Sequence, residues 1–285
     1  MREELELNRA HWDEATEIHG RNNVYGVEDF KAGLCRLHRV EVEEVGDVCG
    51  KRLLHLQCHF GIDTLSWARR GAIVTGADFS PEGVARAKRL AAETSLSAEF
   101  VCSDLYALRE NFDAPSQFDI VYASYGVLNW LPDLDGWAAV IAHYLKPGGF
   151  FYIVESHPAA RIFPIDDDMP KAMTFRPIFS YFHDPAGVRW PATADYADAT
   201  AVHQVASHEW QHTLSDIINA LLRKGLALEF VHEFPYCAWP VVAGCKEIEH
   251  FSSSHGYFAP PDQPPLPLMF SLRARKPASH LYDGE

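Results

Sequence analysis

A glycine and an acid frame the part of the sequence best equipped for chemistry. Leu53-Leu54-His55-Leu56-Gln57-Cys58-His59-Phe60-Gly61 is followed by Val74-Thr75-Gly76-Ala77-Asp78-Phe79-Ser80, with Asp78 17 residues after Gly61. A carboxylate at the carboxyl end of a buried strand can accept both hydroxyls of a ribose, an arrangement worth about 1.5–3 kcal/mol. The alternative is that Asp78 only caps the next helix, but Ser80 already fills that place. A dinucleotide fingerprint is excluded, because G-x-G-x-x-G needs glycines where Gln57 and His59 stand. A pyrophosphate could not lie close over those two side chains, whereas a nucleoside without phosphates could.

Histidines supply the second kind of chemistry. His208-Glu209-Trp210-Gln211-His212 matches H-E-x-x-H, the zinc metalloprotease pattern, which requires a helix to bring both imidazoles to one face. Thr213 reads as a helix cap, so the helix begins after the motif and zinc hydrolysis by His208 and His212 is kept as an alternative only. His157 lies just past a fifth strand and His212 ends a strand, so either could take a proton from an attacking oxygen or nitrogen, a structural role being the alternative for each. Tyr125, Trp130 and His19 are further pocket candidates, Tyr125 among the catalytic ones. Cys58 reads as a small buried residue.

These groups need elements to position them. Strands are expected at Arg52–Cys58, Ala72–Asp78, Ala98–Cys102, Phe118–Ala123 and Phe150–Glu155, each a short apolar run. Helices are expected between them over Ile62–Arg70, ended by Gly71, from Ser80-Pro81 to Glu93, and over Leu134–Leu145. Lys146-Pro147-Gly148-Gly149 reads as a turn. This alternation implies a parallel sheet with helices on both faces. Ahead of it, Asn8–Gly26 has no clear periodicity, and one helix is expected over about 28–44. After it, 156–201 is long, proline-punctuated and aromatic (Phe163, Phe175, Phe179, Tyr181, Phe182, Trp190, Tyr196), which suits a lid better than a linker. Val202–His212 alternates like a strand, a helix runs from Thr213 to Lys224, and Leu226–Phe234 and Leu268–Arg275 are last strands. The divisions expected are a cover at 1–45, a cofactor-binding half at 46–156, a substrate lid at 157–202 and a C-terminal half at 203–285.

Composition narrows the partners. The chain has 285 residues, 47% hydrophobic and 22% charged, with a formal charge of -14. Such an acidic chain is poorly suited to nucleic acid or anionic membranes, and no apolar run is long enough to span a bilayer. Its start, Met1-Arg2-Glu3-Glu4-Leu5-Glu6, lacks the pattern of a signal peptide, and its six cysteines show no CxxC spacing or dense framework. A cytoplasmic protein with reduced thiols is the expectation, as a monomer or homodimer.

Residues 51 to about 155, and more loosely 203–275, resemble class I S-adenosylmethionine-dependent methyltransferases. Gln57-Cys58-His59-Phe60-Gly61 stands where that family has its glycine-rich motif, and LHLQCHFGIDTLSWARRGAIVTGADFS resembles a bacterial subgroup whose first glycines are replaced. Asp78-Phe79, Cys102-Ser103-Asp104-Leu105, Phe118-Asp119-Ile120-Val121-Tyr122-Ala123-Ser124 and Lys146-Pro147-Gly148-Gly149 match the later motifs in order. The resemblance implies a Rossmann-like, doubly wound, seven-stranded sheet, mostly parallel with the last strand antiparallel. It implies a small-molecule methyltransferase that uses S-adenosylmethionine and releases S-adenosylhomocysteine. The backbone from Gln57 to Gly61, including Cys58 and His59, would pass the amino-acid tail, with Gln57 or Thr64 on its carboxylate. Asp78 would hold the ribose, with Phe79 beside the adenine and Ser80 among the cofactor-binding residues. Asp104 and Leu105 would hold the adenine, and Ala123 and Ser124 the methionine portion. A cofactor-binding protein without catalysis is the remaining alternative.

Overall fold

The computed structural model describes residues 2–21, 24–165, 175–248, 256–261 and 264–278. At its centre are β1 (Arg52–Leu56), β2 (Ile73–Asp78), β3 (Ala98–Cys102), β4 (Phe118–Ser124), β5 (Leu145–Ser156), β8 (Ala227–Phe234) and β11 (Met269–Arg275). They form one seven-stranded sheet in the order β3-β2-β1-β4-β5-β11-β8. β11 is antiparallel to both its neighbours and the other strands share one sense, so the expected doubly wound α/β sheet is present.

Both faces of the central strands are buried, which is why these strands read as apolar runs. Leu54, Leu56, Val121, Ala123, Phe151 and Ile153 pack on one face with Trp137 and Ile141 of α7 (Leu134–Tyr144) and Ile217 and Leu221 of α8 (Leu214–Arg223). Their neighbours Leu53, Ile120, Tyr122, Tyr152 and Val154 point the other way, against Trp67 of α4 (Ile62–Arg69) and Val40 and Val45 of α3 (Arg39–Val45). β1 and β4 are held in register by Leu53↔Ile120 and His55↔Tyr122. A slip of one residue would turn every side chain to the wrong face. α5 (Pro81–Glu93) starts as its sequence dictates: Ser80 Oγ accepts the Gly83 amide at 2.9 Å and Pro81 takes the first turn.

Outside the sheet the sequence reading needs correction. Residues 2–19 form a helix, α1 (Arg2–His19), whose buried positions Asn8, Ala15, Thr16, Ile18 and His19 follow helical spacing but are half polar. An apolar periodicity could not reveal it. The single helix expected over 28–44 is broken into α2 (Val27–Lys31) and α3, because Gly33 takes φ 105 and His38 opens a new capping box with Glu41. α6 (Leu108–Asn111) is a single extra turn. Of the strand expected over 202–212, β7 (Ser207–Glu209) pairs with β6 (Val188–Trp190), and Val202 makes an isolated bridge to Ala194. The 146–149 turn is absorbed into a longer β5, and β9 (Lys246–Ile248) pairs with β10 (Tyr257–Ala259).

α1 lies across α5 and β7, and Asn8 mimics a strand partner: its amide donates to the His208 carbonyl and accepts from the His208 amide, each at 2.7 Å. In the expected lid, Phe179, Phe182 and Tyr196 are exposed, while Phe163 and Phe175 pack on the core; residues 166–174 of that segment lie outside the described residues. His203, expected to open the C-terminal half, bonds instead to Asp195 in the lid.

Candidate active site

The turn from β1 to α4 has an unusual backbone. Gln57, His59 and Gly61 all lie in the left-handed region, at φ 56, 51 and 81. Glycine adopts this freely, whereas a residue with a side chain pays about 1–2 kcal/mol. The loop thus keeps the shape of three alternating glycines while carrying only one. Gly61 is irreplaceable on packing grounds as well: a Cβ there would stand 2.8 Å from the Phe100 ring and 2.9 Å from Ala87 Cβ. Cys58 packs its thiol toward Gly76, where a Cβ would come within 2.8 Å of the sulfur, and burial pushes that thiol well above its ordinary range. It is a packing residue, as its sequence suggested.

Asp78 ties this loop to β2. Its Oδ2 accepts the His59 amide at 2.7 Å and its Oδ1 the Ser80 amide at 2.9 Å. Burial pushes the carboxyl up to about 7 against those two bonds. Ser80 Oγ, besides capping α5, donates to Asp13 of α1 at 2.6 Å, and Phe79 stays partly exposed beside it. Further along the same edge, Asp104 Oδ1 accepts the amides of Tyr106 and Ala107 at 2.8 and 3.3 Å, with Leu105 buried behind it.

Ala123 and Ser124 close β4. Ser124 Oγ donates to Asp63 Oδ2 at 3.1 Å and lies 3.5 Å from His55 Nε2. Thr64 departs from its expected role: it is fully buried and its hydroxyl meets His55 Nδ1 at 2.8 Å, so it serves the core. Tyr125 has φ 42, and its hydroxyl donates to Glu41 of α3 at 2.8 Å. Glu41 is fully buried, also takes the Tyr122 hydroxyl and the His38 amide, and burial pushes it up to about 8. The loop after Tyr125 is fixed by Glu155, whose carboxylate accepts the amides of Gly126 and Val127 at 2.7 Å each.

The histidine candidates separate. His157 accepts the Ala159 amide on Nδ1 at 3.0 Å, and its Nε2 lies 2.9 Å from Glu233 Oε1 of β8 at ion-pair distance without a hydrogen bond. His212 places Nε2 2.7 Å from the Leu131 carbonyl, which can only accept, so Nε2 carries the proton. Burial pushes this imidazole down to about 4. His212 lines a small cavity with Leu128, Glu155, Pro158, Arg161 and Trp210. The HEWQH stretch is strand and extended chain rather than helix, and His208 Nε2 faces the Ala186 carbonyl at 2.8 Å. Each imidazole thus serves a different carbonyl, and among the described residues no cluster of three or more His, Cys, Asp or Glu is placed to hold a metal.

A polar chain that the sequence did not disclose runs over the loop. His59 Nε2 lies 3.0 Å from His19 Nδ1 of α1, and His19 Nε2 lies 3.1 Å from Asp195 Oδ2. The same oxygen takes His203 Nε2 at 2.8 Å, and His203 Nδ1 lies 3.5 Å from Glu14. The side chains of His19 and Asp195 are wholly shielded from solvent. Burial would raise Asp195, but the bond and charge of His19, with the Ala197 amide and His203, outweigh it and hold the carboxyl down to about 2. Trp12 and His11 complete the cover, with ring centroids 5.3 and 6.0 Å from Trp130.

Residues 53–149 match the methyltransferase domain family. A ubiquinone biosynthesis O-methyltransferase of Pseudomonas fluorescens (strain Pf0-1) is 32% identical over 126 residues, 44% of this chain and 53% of that protein. The chain therefore spans about half the length of the curated relatives it matches. Among solved structures, an S-adenosylmethionine dependent methyltransferase from Mesorhizobium loti aligns over 86% of this chain and 99% of its own, with TM-score 0.56 and 23% identity. Another, from Clostridium acetobutylicum, aligns over 84% and 89%, with TM-score 0.53 and 13% identity. These structures share the fold.

Proposed function

We propose that this chain, whose residues 53–149 match the methyltransferase domain family, is a class I enzyme that transfers a methyl group from S-adenosylmethionine to a small-molecule acceptor. The observation that carries the reading is the left-handed set Gln57, His59 and Gly61 beside Asp78: a glycine-shaped cradle kept at a cost in strain, next to a buried carboxylate. Strain retained at a strand end is expected where a ligand passes close to the backbone. Those residues fit the cofactor. Asp78 has lone pairs left for the ribose hydroxyls, Asp104 and Leu105 are available to the adenine, and Ala123 and Ser124 flank the methionine portion.

When bound, S-adenosylmethionine supplies an electrophilic methyl group on a sulfonium. The chain's own part is to hold, align and dry the reactants. Alignment alone can contribute about 7–11 kcal/mol to a rate. Glu155 fixes the 126–128 loop, so that wall of the site is set in advance. The cavity beside it has room for about one water, so it does not by itself hold an acceptor, and His212 is the one of the three catalytic candidates that lines it. With its imidazole neutral and Nε2 spent on Leu131, His212 is a positioning group there and a weak base at best. His157 and Tyr125 serve Glu233 and Glu41 instead. Within this reading residues 1–45 and the 157–202 segment close the site over the 46–156 and 203–285 halves.

Calorimetric titration with S-adenosylhomocysteine tests the proposal. Micromolar binding is expected, and Asp78→Ala should weaken it by roughly tenfold or more. No binding by the unaltered protein would overturn the reading.

A further inference from the structure

The strand order reverses between β1 and β4, and a doubly wound sheet opens its binding crevice at that point. Two acceptors stand there with their donors unaccounted for. Gln57 follows β1 and spends its amide nitrogen on the Val127 carbonyl at 3.0 Å, leaving Oε1 buried without a partner. Asp63, in the first turn of α4, accepts the Ser124 hydroxyl at 3.1 Å and has no ion pair among the described residues. Burial pushes its carboxyl up to about 6, with Ser124 and the more distant Arg36 pulling the other way. The nearby imidazole cannot supply the missing charge: burial holds His55 down to about 3, and its Nδ1 is spent on Thr64.

His55 pairs with Tyr122 in the β1–β4 register, so Gln57 and Ser124, each two residues further on, border the same gap. One group answers both deficits: a primary ammonium, which brings a positive charge and several N–H donors. Beside it, the first amides of α4 lack partners within the helix and suit a carboxylate. An ammonium and a carboxylate side by side are an α-amino acid.

We propose that Asp63 and Gln57 form the receptor for the α-ammonium group of the cofactor's amino-acid tail. This rests on the S-adenosylmethionine reading above and adds a residue that its motifs do not assign. The acid that neutralises the tail sits on α4, two residues after Gly61, and Ser124 orients it across the gap.

The test compares two ligands that share the nucleoside: S-adenosylhomocysteine, which has the tail, and 5′-methylthioadenosine, which lacks it. Asp63→Asn should weaken the first by roughly tenfold to a hundredfold and leave the second within about twofold. Gln57→Met, which keeps length and loses the acceptor, should repeat the pattern at roughly threefold to tenfold. Equal losses for both ligands, or no loss for S-adenosylhomocysteine in either variant, would overturn the ammonium receptor while leaving the cofactor reading intact. An unaltered protein that binds neither ligand would instead overturn the cofactor reading itself.

Discussion

The two regions that meet over Asp78 are held by opposite means. Beneath it, β1, β4 and β5 bury Leu53, Leu54, Leu56, Val121, Phe151 and Ile153 completely, and apolar burial asks little of direction. Above it, α1 and the 195–203 segment are joined through Glu14, His203, Asp195, His19 and His59, a chain in which each partner depends on the next. Removing one member leaves buried polar groups unpaired, so such a chain is directional, sensitive to protonation and able to part as a unit. The base therefore rests on apolar burial, and the cover on directed polar bonds.

If that contrast is right, a change in the loop and a change in the cover should fail differently. Gly61→Val forces a branched side chain into φ 81 and drives it into Phe100 and Ala87, where β1, α4 and α5 converge. The expected loss is about 3–5 kcal/mol of global stability, read from denaturant unfolding as a lower midpoint for the whole molecule. Asp195→Ala strips the shared acceptor from His19 and His203 and should cost about 2–3 kcal/mol. That loss should be local: amide exchange should rise in α1 and around residues 194–203, with β1 and β4 still protected. Equal exposure of sheet and cover would collapse the distinction.

Acid should reveal the same asymmetry. Asp195 is held at about 2 in the fold against an ordinary value of 3.8. The stability its anion contributes is complete above the unfolded value and is lost as pH falls through the folded one. Lowering pH from about 4 to about 2 should remove the Asp195 contribution to holding α1, and Asp195→Ala should abolish that step of the loosening of α1.

The same contrast explains what could be read from the sequence. β1, β2 and β4 lie within a residue or two of their expected limits, because strands buried on both faces leave continuous apolar runs. The place of Asp78 at the end of β2 was legible because a buried strand there ends in an acid. α1 was not, since its buried face includes Asn8, Thr16 and His19. Nor was the bond between His19 and Asp195: the two are 176 residues apart, and no local spacing records such a pairing. Thr64 was misassigned because polarity near a glycine loop suggested a ligand, while its place inside α4 turns it to His55.

The smallest effect gives the sharpest test, because His59 belongs to both regions. Its backbone is part of the loop, with φ 51 and its amide on Asp78, and its ring is the lower end of the polar chain. His59→Gly relieves the left-handed strain, keeps the amide and deletes the ring, and glycine's extra freedom when unfolded offsets part of the relief. Global stability should change by less than about 1 kcal/mol while α1 loosens. If the chain acts as one unit, cutting it at His59 and at Asp195 together should loosen α1 little more than the Asp195 cut alone. The non-additivity, measured by amide exchange in α1, should then be at least about 0.5 kcal/mol. Full additivity would mean that His59 and Asp195 hold the cover independently, and the cover would have to be treated as separate contacts that happen to touch.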